Sequence, residues 1–418
     1  MHMNYVFISP HFPPNFYNFC VQLRNAGANV LGIGDGQYHE FRQELKDSLT
    51  EYSQVDMNNY DQIYHTILYF SNKYGKIDRI DSQTEHWLGL EAQIRQDFDI
   101  YGQKPEDLQI NQSKLGMKRV FQEAGIPCAE AMSLSVSTEE LKAFVERNGY
   151  PFIVKPDKGV GASNTYKVEN EEQLIQILHH NHNNYVIEPF VVGQIVTFDG
   201  LVDKDSNIMF HSSFELGNDI LTALKEQRDT SYFYNRDINP LLIEYGQKIV
   251  KGFNVRERFF HIEFFKIREN EYKVIEINVR PPGGYGIDMQ NYSCDIDLFR
   301  VFAELAVHNN NHLEYDRKYN VACALRRDRF HYKHSIEDVM HTLGPIAVDY
   351  KRLPDAFAAV MGNDTFILRH AEHKELFEAG KPLQDVAREL FETDENKHVK
   401  ELASFVLNTK RGIPFNRK

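Results

Sequence analysis

No apolar run in this chain is long enough to cross a bilayer, which excludes a membrane-spanning helix by sequence. The opening residues, Met1 to Pro10, lack the basic start and long apolar stretch of a secretion signal, and residues 5–8 read instead as a first β-strand. Cysteine is scarce. Cys20, Cys128, Cys294 and Cys323 lie far apart and form no CxxC pair, which argues against a zinc site or a disulfide framework. Reduced thiols and a cytoplasmic setting are expected. A surplus of positive charge is also missing. Against 60 acidic residues stand 47 basic ones, a formal net charge of −13. The basic residues form no stripe, so nucleic acid and anionic lipid are excluded as partners. Cations scattered singly suit small anionic substrates instead.

With 418 residues, 42% of them apolar, the chain can bury a sizeable core and should divide into two or three subdomains. Its first hundred residues alternate strand and helix signals, which predicts a parallel sheet covered by helices. The loop 10–15 follows the first strand at the end where open α/β sheets bind ligands. Helices are expected over 59–74, 112–124 and 137–148. From 152 onward short strands joined by tight turns dominate, among them 152–155, 185–188, 195–202, 259–266 and 272–279, which indicates an α+β region. Further helices are expected over 295–309, 335–342, 372–379 and 383–393. The expected fold class is α/β plus α+β.

The strongest chemical signal is Glu276-Ile277-Asn278-Val279-Arg280. Strand alternation puts Glu276, Asn278 and Arg280 on one face and the apolar pair on the other. Two oxygen ligands suit magnesium, and a neighbouring guanidinium suits a transferring phosphoryl group. An ordinary solvated strand face has the same pattern. Pro281-Pro282-Gly283-Gly284 then ends the strand and frees backbone amides for a ligand. Residues 259–266 carry His261 and Glu263 on one face and should pair with 272–279 across Arg268–Glu271, bringing Glu263 near Glu276. Lys155 ends a strand before Lys158-Gly159-Val160-Gly161-Ala162-Ser163, a loop able to cradle phosphate. A tight turn requiring Gly159 and Gly161 explains that loop as well, and GxxxxGK[ST] is absent. Glu188-Pro189-Phe190-Val191 could wall an adenine or simply end a strand. Gly32-Ile33-Gly34-Asp35-Gly36 is an incomplete dinucleotide fingerprint. The residues after the first strand are Ser9-Pro10-His11-Phe12-Pro13-Pro14, so a nicotinamide dehydrogenase ranks last. The chain has no GxSxG elbow, and His179, His180 and His182 read as a solvated loop.

The order of these elements resembles the ATP-grasp superfamily over about residues 5 to 310. The resemblance rests on Asp81-Ser82-Gln83-Thr84-Glu85, Asn111-Gln112-Ser113-Lys114, Val154-Lys155-Pro156, Glu188 to Val191, His261-Ile262-Glu263 and Glu276 to Pro281. It implies an ATP-grasp fold behind a Rossmann-like parallel-sheet domain. The expected division is 1–110 for that domain, 111–190 for a small lid, 191–310 for a large subdomain with the metal, and 311–418 for a C-terminal α+β element. By this similarity Lys114 and Lys155 hold ATP phosphates, with Lys118 a turn beyond Lys114. Lys158, Gly159, Gly161, Ala162 and Ser163 cover the phosphates, and Glu188, Phe190 and Val191 hold adenine. Glu263, Glu276 and Asn278 hold Mg2+, for which Mn2+ could substitute. Arg280 stabilises the transferred phosphate, and Arg280, Gly283 and Gly284 meet the substrate carboxylate, with Arg258 a weaker choice. Family members usually bind ribose through a glutamate after the hinge. Here the run is Gly193-Gln194-Ile195-Val196, which leaves Gln194 as the substitute. The implied activity is ATP-dependent carboxylate–amine ligation through an acyl phosphate. Bicarbonate-phosphorylating chemistry of the carbamoyl-phosphate-synthase or biotin-carboxylase type is the alternative, and a non-catalytic ATP-binding protein comes after it. Small-molecule substrates and a candidate homodimer complete the expectation.

Overall fold

The computed structural model describes residues 2–158, 164–179, 184–216, 231–328, 330–353, 362–380 and 386–389. Its chain begins as the alternation predicts. Strands β1 (Asn4–Ile8), β2 (Asn29–Gly34), β3 (Glu51–Gln54) and β4 (Arg79–Asp81) form a parallel sheet in the order β3-β2-β1-β4. All five residues of β1 are buried, the run expected of a strand covered on both faces. Loops 9–15 and 82–87 leave neighbouring strands, β1 and β4, at the same end. Non-glycine residues with left-handed backbone, Ser9 (φ 51) and Gln83 (φ 57), stand first and second in the two loops.

A small antiparallel sheet follows in the order β5-β8-β6-β7, built from β5 (Met132–Ser133), β6 (Phe152–Pro156), β7 (Tyr166–Val168) and β8 (Tyr185–Pro189). Its helix Thr138–Asn148 begins at a Ser137 cap, with Glu140 closing a capping box. The helix expected over 112–124 forms as Lys114–Glu123, after a separate helix that takes Gln112. Helix Pro105–Gln112 ends at Ser113, whose extended backbone (φ −100, ψ 122) opens Lys114–Glu123, and the Ser113 side chain accepts from Gly116 N.

The largest sheet runs β14-β13-β9-β11-β12-β15-β18-β17, with β10 also pairing β9. Its strands are β9 (Gln194–Val202), β10 (Ile208–Ser212), β11 (Phe214–Leu216), β12 (Ser231–Tyr234), β13 (Phe259–Arg268), β14 (Glu271–Asn278), β15 (Asn320–Arg326), β17 (Ala347–Arg352) and β18 (Asp364–His370). Three strands beyond residue 310 therefore extend the sheet that carries the proposed metal residues. The hairpin β13–β14 closes at Arg268↔Glu271 as predicted, with Asn270 left-handed in the turn (φ 57). One expectation fails. Residues 386–389, read as part of a helix, form β19 (Val386–Glu389), which pairs with β16 (Phe330–Tyr332). Non-local pairing overrides local helical spacing there.

The parallel-sheet domain is welded to the rest through aromatic packing. Phe19 sits 6.0 Å from Phe259, 4.8 Å from Phe299 and 5.3 Å from Phe302, ring centre to ring centre. These rings share one buried cluster with Tyr5, Phe7, Leu201 and Phe210. That junction holds the loops after β1 and β4 against the end of β14.

Candidate active site

Strand register builds the site. Glu263 lies directly opposite Glu276, and His261 opposite Asn278, so all four side chains share one face of β13–β14. Ile262 and Ile277 point the other way, into the core, and are buried. Burial and the facing Glu263 carboxylate raise the pKa of Glu276, and Lys155 and Lys114 only partly offset them. A carboxyl strained in this way is relieved by a cation. Asn278, with its amide turned to satisfy its neighbours, donates to both oxygens of Glu85 at 2.9 and 3.2 Å. No three His, Cys, Asp or Glu side chains converge on one point among the described residues. Two carboxylates and an amide oxygen form an incomplete shell, the kind magnesium finishes with water and phosphate. The residues present fit that ion.

Arg280 follows β14. Its Nε donates to Glu85 at 3.3 Å and its Nη1 to the Pro281 carbonyl at 2.8 Å. The parallel-sheet domain thus places Glu85 against Arg280 and Asn278. Its sequence gave no role to Glu85 beyond the motif, although a carboxylate just past a parallel strand's C-terminal end was the available signal.

Three lysines line the opposite side. Lys155 Nζ is 3.1 Å and Lys118 Nζ 3.6 Å from Glu188 Oε2. Glu188 is 6% exposed, and its Oε1 is buried with no hydrogen-bond partner. Burial favours the neutral acid, but Lys155 and Lys118 outweigh it and hold the carboxyl below its usual range. Burial lowers the pKa of both Lys114 and Lys118, opposed mainly by Glu276 for the first and Glu188 for the second. Lys118 is nearly as enclosed as any core residue, which its spacing did not reveal. Asp157 ties the lysines together. It stands two residues beyond Lys155 and accepts from Ser113 Oγ at 2.8 Å and Leu115 N at 2.9 Å, fixing the start of the helix that carries Lys114.

The hinge residues Phe190 and Val191 follow β8. Phe190 N already donates to the Pro151 carbonyl at 2.9 Å, and Lys167 Nζ lies 4.8 Å over the Phe190 ring. Gln194 opens β9 opposite Lys266, on the face of Val196 and Phe198, whereas Ile195 shares the face of Thr197, which stands opposite Glu263. Gly283 and Gly284 follow Arg280, and Gly284 is left-handed (φ 62) with its carbonyl 3.5 Å from Asn15 Nδ2. Lys158 is exposed, and Gly159, Gly161, Ala162 and Ser163 lie outside the described residues. Arg258 is corrected: it is 4% exposed and paired with Asp81 at 3.1 Å and Glu91 at 3.2 Å, so no substrate reaches it.

The family model described as an ATP-grasp domain matches residues 111–284, the span that holds both lysine strands and both metal strands. Residues 111–284 are an ATP-grasp domain. The L-arginine-specific L-amino acid ligase of Bacillus subtilis is 26% identical over 251 residues, covering 58% of this chain and 60% of that protein. The crystal structure of an L-amino acid ligase from Bacillus licheniformis superposes with a TM-score of 0.71 at 13% identity, covering 94% of this chain and 99% of that one. A short stretch of 55 residues is 74% identical to the acyl-[acyl-carrier-protein]–UDP-N-acetylglucosamine O-acyltransferase of Aliarcobacter butzleri, 13% of this chain and 21% of that protein. The chain therefore spans about three fifths of one of these curated relatives and one fifth of the other. The ATP-grasp family and its fold agree with the architecture read from the motifs. No described helix is long and apolar enough to cross a membrane.

Proposed function

We propose that this ATP-grasp protein is an ATP-dependent carboxylate–amine ligase. The observation that carries this reading is the register Glu263↔Glu276 on a face that also meets Lys114 and Lys155. Amino acids are the substrate class we favour, in line with the Bacillus subtilis relative, an L-arginine-specific L-amino acid ligase.

Lys155 and Lys114 would receive the phosphates of ATP from the side opposite the carboxylates. The unpartnered Glu188 Oε1 offers an acceptor suited to the adenine amino group. Glu263, Glu276 and Asn278 would hold Mg2+, which when bound neutralises charge on the terminal phosphates. The substrate carboxylate attacks the γ-phosphorus, its oxygen forming the new P–O bond as the bond to ADP breaks. Arg280 stands at the end of the metal strand to steady the transferred group, and Glu85 holds its guanidinium in place. An amine then attacks the acyl carbon, phosphate leaves, and the amine's surplus proton passes to solvent. Positioning and fixed charge supply the catalysis, so no covalent protein nucleophile is required. A cytoplasmic, small-molecule enzyme is the setting this chemistry suits.

The test is ADP release over a panel of amino acids, other carboxylic acids and bicarbonate. Amino-acid-dependent ADP release, abolished by Glu276→Gln with the circular dichroism spectrum unchanged, is the expected result. ADP release with bicarbonate alone would transfer the assignment to bicarbonate phosphorylation. Tight ATP binding with no ADP from any pair would overturn ligation altogether.

A further inference from the structure

Behind Glu263 lies a line of side chains that the ligase reading leaves without a task. Thr197 and Asp199 alternate onto the metal face of β9, opposite Glu263 and His261 of β13. Thr197 and Asp199 are fully buried, and His261 is 5% exposed. Thr197 Oγ1 donates to Asp199 Oδ2 at 2.8 Å. The other Asp199 oxygen faces His261 Nδ1 at 2.6 Å, and His261 Nε2 faces Glu263 Oε1 at 3.2 Å. The Phe214 ring lies parallel to the imidazole, 4° from coplanar orientation and 6.1 Å away, while Phe214 N donates to Thr197 Oγ1 at 3.2 Å. The imidazole is thus fixed at both nitrogens and supported on one face.

We propose that His261, backed by Asp199 and Thr197, is a positioning residue that holds Glu263 Oε1 and so orients the carboxylate toward the divalent ion. The assignment rests on the ligase reading, because it takes Glu263 as a metal ligand. Its physical basis is orientation. Glu263 has three side-chain torsions, and about 29% of its side chain is exposed, so strand position alone does not fix its carboxylate. A hydrogen bond from His261 selects one orientation before the ion arrives. Asp199 in turn fixes the ring. The strands need no such device to pair, since β9 and β13 already share a continuous eight-residue register. What the line adds is a defined end at Glu263. Outer partners of this kind are typically worth about 10- to 100-fold in metal affinity.

Two substitutions separate the roles of the two ring nitrogens. His261→Asn keeps a donor near the Nδ1 position, toward Asp199, but cannot reach Glu263. His261→Gln keeps a donor near the Nε2 position, toward Glu263. Mn2+ binding to the full chain with saturating ADP, read by electron paramagnetic resonance, measures the metal directly without turnover. ADP binding without metal, read by calorimetry, serves as the control for an intact site. The expected result is a Mn2+ dissociation constant raised about tenfold or more by His261→Asn and less than about threefold by His261→Gln, with metal-free ADP binding unchanged in both. Equal Mn2+ affinity in wild type and His261→Asn would overturn the proposal. So would equal weakening by both substitutions, which would mark His261 as structural. Glu276→Gln in the same assay distinguishes the two levels of argument. If it weakens Mn2+ while His261→Asn does not, only the positioning role fails; if it too leaves Mn2+ unaffected, the metal site and the ligase reading fail together.

Discussion

Arg258→Met probes the junction that brings the parallel-sheet domain to the active site. Arg258 is 4% exposed. Its guanidinium reaches Asp81 at 3.1 Å and Glu91 at 3.2 Å, and its Nε donates to the Val279 carbonyl at 3.3 Å. Val279 immediately precedes Arg280, and Asp81 ends β4 just before the loop that carries Glu85. Methionine fills much of the space but supplies no charge. Two buried carboxylates then face each other with Arg95, 2.9 Å from Glu91, left to balance them. Breaking a buried pair by removing one partner typically costs about 3–5 kcal/mol, and we expect a loss in that range. The pH dependence follows from Glu91. Burial first, then Asp81, raises its pKa despite Arg258 and Arg95. An acid whose folded pKa exceeds its unfolded value destabilises the fold once ionised, and stability returns as pH falls through the folded pKa. Removing Arg258 raises that pKa further, so the penalty should be larger at pH 8 than at pH 5.5. Urea unfolding followed by tryptophan fluorescence and circular dichroism at both pH values measures it. Adding Glu91→Gln to Arg258→Met should recover part of the loss at pH 8 by removing one uncompensated charge. A loss below about 1 kcal/mol, or one equal at both pH values, would refute the account of a buried charge cluster.

Other perturbations test the packing. In Gly246→Ala the new methyl carbon would stand 2.1 Å from Phe198 Cδ1, so the substitution should lower stability by about 2 kcal/mol despite the better helix propensity of alanine; a thermal melt reports it. Lys351→Met removes the ammonium 3.0 Å from Asp288 Oδ1 and 3.1 Å from Asp349, where burial already raises the Asp288 pKa. A loss of about 1–2 kcal/mol is expected because the lysine is partly solvated, and urea titrations should show it shrinking as pH falls toward 5.

What the sequence revealed was mostly local and periodic. Alternation alone put His261 with Glu263 and Glu276 with Asn278, because a strand's side-chain period of two leaves no other arrangement. The hairpin turn at 268–271 was legible for the same reason. Ser113 was read as lying inside the helix expected over 112–124, because helical spacing does not show the cap it makes between two helices. Contacts across long separations left no local mark. Glu85 and Arg280 meet over 195 residues of chain, and nothing near either one announces the other. Arg258 read as a free cation because sequence does not show burial, and burial turned a substrate candidate into a structural hub. Asp199 was missed because a single acid in an apolar strand is conspicuous only once its partner is known. Strand β19 was misread because its pairing partner lies more than fifty residues away.

The ribose side of the site offers the sharpest use of register. The resemblance left Gln194 to replace the glutamate that usually binds ribose, but Gln194 stands on the face of β9 turned away from Glu263, and Ile195 is the residue turned toward it. Position 195 is half-buried and lies one residue pair from Thr197 and Glu263 along the same face. A carboxylate there would meet the nucleotide's sugar if the phosphates lie between Lys155 and Glu276. Hydrogen bonds to a charged group contribute about 1.5–3 kcal/mol. After the loss of isoleucine packing, a net gain of about 1.4 kcal/mol, or tenfold in affinity, is reasonable. Ile195→Glu is therefore expected to lower the KM for ATP about tenfold and to leave that for 2′-deoxy-ATP nearly unchanged, while Gln194→Ala alters neither. The two nucleotides share every group except the hydroxyl, so their ratio isolates the sugar contact from any general effect on the phosphate site. A ratio of KM values unchanged by Ile195→Glu would place the ribose elsewhere, and a ratio moved by Gln194→Ala would show that the glutamine turns back into the site despite its register.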